Sequence, residues 1–168
     1  MKTLFTQYAS YNLWAHQRIV NFMYGLSDEQ QHREILSSFS SLYKTIFHVW
    51  TAETAWWQRM HGGQTMIKED PFHGSFRQAS EALLAKDQDW LNWIKNIQDD
   101  YFSAIIEYKN LKGEIFQEYL YHILLHLFNH GTYHNGQLVT MFHQLGLEGI
   151  PATDFIVWSR EVKGELKG

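Results

Sequence analysis

Apolar residues recur at a helical period through most of this chain. Leu4, Tyr8, Tyr11, Ala15, Ile19 and Phe22 predict a first helix from about Lys2 to Tyr24, ended by Gly25. Ser27 and Gln30 have the spacing of a capping box and predict one short helical turn. Leu42, Ile46, Val49, Trp50, Trp56, Trp57 and Met60 predict a second long helix from about Ser41 to Met60, capped by Ser40 and stopped by Gly62 and Gly63. Pro71 and three glycines break the stretch from His61 to Gly74, which reads as a loop. Ser75 and Gln78 form another capping-box pair and open a third helix, about Phe76 to Ile97.

The period then changes. Phe102, Ala104 and Ile106 alternate in part with Ser103, Ile105 and Glu107. With the turn residues from Asn110 to Gly113 and then Ile115 and Phe116, they predict a short hairpin. Leu120, Ile123, Leu124, Leu127, Leu138 and Met141 form the apolar face of a fourth helix, about Gln117 to Leu145, closed by Gly146. Gly131 and Gly136 lie inside it, where each costs up to ~1 kcal/mol against alanine. They point to close approach of another helix or a ligand, with simple tolerance of glycine as the alternative. After Pro151, Thr153 or Asp154 caps a last short helix through about Val162, and the tail from Lys163 to Gly168 is expected to fray. The predicted fold is all-α: an antiparallel four-helix bundle with a short β-hairpin before the fourth helix and a short C-terminal helix, one domain over residues 1–168.

Composition narrows the function. With 168 residues and 45% apolar content, the chain can bury a real core. The net charge is −4 and no Lys/Arg run exceeds two, so there is no electrostatic footprint for nucleic acid. No apolar stretch reaches the length of a membrane span and the N-terminus lacks a signal-peptide core, so the cytoplasm is the expected location. Cysteine is absent, which excludes disulfides, thiolate ligands and a protein thiol nucleophile. Any thiol chemistry must therefore bring its sulfur on a substrate.

Histidine carries the candidate chemistry. His122, His126, His130 and His134 follow one another at four-residue intervals on the fourth helix. His130 and His134 lie one turn apart on one face, the usual way for a helix to offer two nitrogens to one ion. A third nitrogen must come from a facing helix. His48 fits, because Leu42, Ile46 and Val49 turn its side of the second helix toward the core. A solvated face or a hydrogen-bonded core pair is the alternative for such a pair. The face drifts about 40° per four residues, so four histidines cannot converge on one ion. His126 reads as a supporting or core residue and His122 as unrelated. His16, His32, His61, His73 and His143 read as surface or loop residues, although His16 and Asn12 could line a pocket from the first helix. The segment His130-Gly131-Thr132-Tyr133-His134 lacks the glutamate of a zincin helix, so peptidase chemistry is not indicated. Glu53 is turned away from His48 and reads as a surface or capping carboxylate. No general acid or base is assigned.

The segment from His126 to Leu138, with its core Asn129-His130-Gly131-Thr132-Tyr133-His134-Asn135-Gly136-Gln137, resembles the signature of the DinB (YfiT-like) superfamily of four-helix bundles. Pro151 to Phe155, Tyr11 to Ala15, and His48 to Glu53 with Trp56 match in kind and order. The resemblance implies a metal bound by three histidines, carried over to His48, His130 and His134. It also implies frequent homodimers, and a thiol-dependent transferase or isomerase activity in some relatives, using a low-molecular-weight thiol such as bacillithiol or mycothiol. One departure shows. Relatives commonly carry arginine after the last ligand, where this chain has Asn135, which offers no fork of charged donors. The expectation is a metal-dependent enzyme with a three-histidine divalent site: a bacillithiol-type transferase or a metal-assisted hydrolase acting on a small molecule. The alternative is a non-catalytic, metal-binding stress-response bundle. Zinc or nickel is expected, and iron and copper also suit imidazole ligands. Neither nucleic acid nor a membrane is expected as a partner.

Overall fold

The computed structural model describes residues 1–62, 69–110 and 112–165. Six α-helices, one 3-10 helix and one hairpin follow in the order α1 (Lys2–Tyr24), α2 (Asp28–His32), α3 (Leu42–Met60), α4 (Phe76–Asn96), the 3-10 helix (Asp99–Ser103), β1 (Ile105–Lys109), β2 (Ile115–Tyr119), α5 (Leu120–Gln144) and α6 (Phe155–Glu165). The capping box at Ser27 and Gln30 forms in both directions. Ser41, not Ser40, caps α3, its hydroxyl accepting from the Lys44 amide at 3.1 Å. The Ser40 hydroxyl instead accepts from Lys44 Nζ.

The hairpin lies further along the chain than the alternation suggested. Phe102 is fully buried in the 3-10 helix, and the antiparallel ladder pairs Ile105 with Tyr119 through to Lys109 with Ile115. Residues 117–119 therefore belong to β2, and α5 starts at Leu120, whose amide donates to the Ala104 carbonyl. Strand pairing wins there because it satisfies backbone groups that a first helical turn leaves open.

Helices α1, α3, α4 and α5 form the bundle. α4 and α5 each pack against both α1 and α3. The apolar core has two halves. One gathers Ile19, Met23, Leu42, Ile46, Leu83 and Phe142; the other gathers Phe5, Trp90, Ile94, Leu120, Leu124 and Phe128. These memberships set the helix directions. α1 antiparallels α4 and α5 antiparallels α3, while α3 and α4 run the same way. α6 packs on α1 through Trp158 against Tyr11.

Between the two apolar halves lies a buried polar layer containing Asn12, His16, Glu53 and Asp87, each at most 3% exposed. Gly131 of α5 closes on it. A Cβ there would stand 2.6 Å from Asn12 Oδ1, inside van der Waals contact. Gly136, by contrast, faces open space. Of the two glycines, only Gly131 marks a close approach.

The two sites should respond to alanine with opposite signs. Gly131→Ala gains helix propensity but must displace Asn12, a net loss of about 1–3 kcal/mol. Gly136→Ala should gain up to about 1 kcal/mol. Urea unfolding of both variants checks this; equal effects would refute the assigned packing.

Candidate metal centre

α3 and α5 run antiparallel, so a mid-helix residue of one meets a mid-helix residue of the other. The structure brings His48, His130 and His134 together. His130 Nε2 lies 3.1 Å from His48 Nε2 and 3.1 Å from His134 Nε2. The tautomer of His134 follows from its neighbour. Its Nδ1–H donates to Gln137 Oε1 at 2.8 Å, which leaves the Nε2 lone pair facing the other rings. Gln137 is itself held, its amide donating to Ser38 Oγ at 2.7 Å and to the Tyr133 hydroxyl at 3.0 Å. Phe39 stacks on His48 with ring centroids 3.9 Å apart and fixes that imidazole.

Burial pushes His48 and His130 down from 6.5 to about 4, and the other imidazoles add to the effect. His134 is also lowered, chiefly by burial, with the Gln137 hydrogen bond opposing. All three rings are therefore neutral at pH 7. With no proton on His134 Nε2, hydrogen bonds cannot satisfy both short nitrogen–nitrogen contacts together. If His48 donates to His130, two lone pairs face each other on the opposite side; if His130 donates to one ring, the other contact is left weakened. A single cation would satisfy all three nitrogens at once. The donor set therefore fits a divalent transition metal.

A second group lies in the buried layer. Asn12 Nδ2 donates to Glu53 Oε1 at 3.0 Å and to Asp87 Oδ1 at 2.7 Å, and His16 Nδ1 lies 2.9 Å from Asp87 Oδ2. Glu53 titrates well above its usual range. Burial is the main cause, and Asp87 adds to it by repelling the charge and by hydrogen bonding to the protonated form. The shift favours the neutral carboxyl at the bundle centre, and Glu53 Oε2 has no hydrogen-bond partner among the described residues. His16, Glu53 and Asp87 form a second group with ligand atoms within 4.8 Å of one another.

These placements correct the sequence reading at three residues. His16 is 1% exposed rather than superficial, and Glu53 is buried rather than a surface or capping carboxylate. Asp87 was not anticipated at all. The signal was present: Ile46, Val49 and Glu53, like Leu83, Asp87 and Trp90, share one helix face, so both acids occupy core positions.

The sequence profile of the DinB family matches residues 1–162. This chain belongs to the DinB family. Protein DinB of Bacillus subtilis (strain 168) is 27% identical to it over 154 residues, covering 86% of this chain and 87% of that relative. No helix among the described residues of this DinB-family bundle is long and apolar enough to cross a membrane. The remaining histidines of the ladder stand apart from the three. His126 is exposed, not in the core, with its ring 6.0 Å from His130. His122 is exposed and pairs with Glu118. Asn135, next to His134, is 3% exposed and its Oδ1 has no partner among the described residues.

The raised Glu53 titration has a defined sign. The folded state holds this proton above 4.5, so the stability tied to the neutral carboxyl is complete below 4.5 and is lost as pH rises toward the shifted value. Glu53→Gln keeps a donor for Asp87 and an acceptor for Asn12 without titrating. Its stability relative to the parent should climb as pH rises above 4.5, measured by urea unfolding across pH. A pH-independent difference would show that Glu53 is not held neutral.

Proposed function

We propose that His48, His130 and His134 hold one divalent transition-metal ion and that the chain is a metal-dependent enzyme acting on a small molecule with a thiol cosubstrate. The observation that carries this reading is the convergence of three neutral imidazole nitrogens, 3.1 Å apart in two pairs, from α3 and α5. A divalent ion with three neutral ligands keeps its charge and supplies Lewis acidity, enough to ionise a thiol or a water near pH 7. With no cysteine in the chain, the sulfur would arrive on the cosubstrate. Metal-assisted hydrolysis is the variant in which water takes that place.

The chain's own residues do the positioning. Gln137 holds the His134 tautomer that leaves Nε2 available. Phe39 stacks on His48 and shields one side of the site. The lowered titration of all three rings keeps them unprotonated at neutral pH, so an ion need not compete with protons.

One observation also favours a purely structural ion: the three ligands join two different helices, so a bound metal would tie α3 to α5. Saturation at 100 times the dissociation constant would add about 2.7 kcal/mol to stability. Elemental analysis of untagged protein should find one ion per chain, lost in His48→Ala, His130→Ala and His134→Ala. Gln137→Ala should weaken metal affinity by about 10–100-fold through the His134 ring alone. A full metal complement in the three alanine variants would overturn the site. Metal-loaded protein that melts higher yet turns over no electrophile with any thiol, and hydrolyses none, would leave the ion a structural role.

A further inference from the structure

The row of rings between α3 and α5 does not end at the three histidines. Along α3, His48, Ala52 and Trp56 follow at four-residue intervals on one face, and Ala52 presents only a methyl group there. Along α5 the same row runs from His130 to His126, whose rings are 6.0 Å apart. His126 meets Trp56 edge-on at 5.5 Å, and Trp56 meets Tyr108 of β1 at 5.0 Å. A continuous aromatic wall therefore leads from the metal centre to the hairpin.

Arg59 lies at its far end. Its guanidinium sits 4.6 Å from the Trp56 ring centre and 5.6 Å from that of Tyr108. Arg18 and Arg77 each reach a glutamate, whereas Arg59 is half-buried and pairs with no carboxylate among the described residues. Stacking occupies the faces of a guanidinium and leaves its N–H edge free to donate. A half-buried cation braced on two rings, with no hydrogen-bond acceptor for its N–H edge among the described residues, is built to receive an anion. No other cation shares these two rings among the described residues, which suits a monoanionic carboxylate better than a phosphate dianion.

We infer that Arg59, braced by Trp56 and Tyr108, anchors a carboxylate on the molecule whose reacting end lies at His48, His130 and His134. This rests on the metal reading above. His48 and Trp56 are about 12 Å apart along α3, so the molecule must be elongated, with its thiol and its carboxylate at opposite ends.

The test uses the full chain loaded with cobalt(II), in which a bound thiolate gives a sulfur-to-metal absorption band. Mercaptocarboxylates from 3-mercaptopropionate to 8-mercaptooctanoate are titrated against mercaptoalcohols of equal length. The long acids should bind about tenfold tighter than their alcohols, as expected for one charge-assisted pair, while the shortest acid shows no such advantage. In Arg59→Gln the advantage of the long acids should vanish, with cobalt content and alcohol affinity unchanged. An advantage that is absent, independent of length, or retained in Arg59→Gln overturns the anchor and leaves the metal site standing. Absence of the band with every thiol overturns the thiol reading and the anchor with it.

Discussion

The register of α3 against α5 is the constraint on which the rest depends. Shifting one helix by a single residue would swing His48 about 100° away from the other two rings. Apolar packing sets the register on one side of the site, where Ile46 and Val49 share a core with Leu138, Met141 and Phe142. Thr45 adds a local lock, its hydroxyl donating to the carbonyl of Ser41 and lying 3.6 Å from Met141 Sδ. On the other side, Gly131 lets the helix that carries His130 settle onto Asn12 of α1. The imidazoles meet because aliphatic side chains and one missing Cβ hold the two backbones at the correct height.

The polar layer at the bundle centre works against stability taken alone. Carboxyl groups in an apolar interior lose their hydration, and replacing such a group by packed hydrocarbon is often neutral or favourable. Here the cost is limited in two ways. Glu53 stays neutral, and Asn12 donates to both acids so that few buried atoms are left over. The layer ties α1, α3 and α4 together at the level of the three histidines, where the two apolar halves of the core part. That arrangement makes sliding of one helix past another expensive, because a slipped register would leave a buried carboxyl without its donor.

The row of rings between α3 and α5 joins two kinds of chemistry. At one end are three neutral nitrogens, soft enough for a transition metal; at the other is a guanidinium stacked on indole and phenol rings. His126 lies between them. It is exposed, and its place in the four-residue ladder sets its ring between His130 and Trp56. The ladder therefore combines two members of the three-histidine group with two exposed rings, one of them edge-on to Trp56.

Helix limits were legible because apolar periodicity and caps are local. α1 matched residue for residue and α4 nearly so, whereas α6 runs on to Glu165, into the stretch expected to fray; the histidine pair on α5 followed from spacing alone. His48 was the expected third ring, but it stands about 100–160° around α3 from Leu42, Ile46 and Val49, so the packing of α3 on α5, not that apolar face, brings it to the pair. What the local pattern did not convey was the state of charged residues on apolar faces. Glu53 and Asp87 stand on apolar faces, but the partners they meet there, Asn12 and His16, come from α1, far along the chain. The start of α5 also depended on a partner, because residues 117–119 can propagate a helix or pair with β1, and only the presence of β1 decides between them. Periodicity within one segment thus determined the helices and the ligand types. Contacts between distant segments decided which polar groups are buried, which are protonated and which face one another, because desolvation and hydrogen bonding depend on neighbours that sequence distance does not specify.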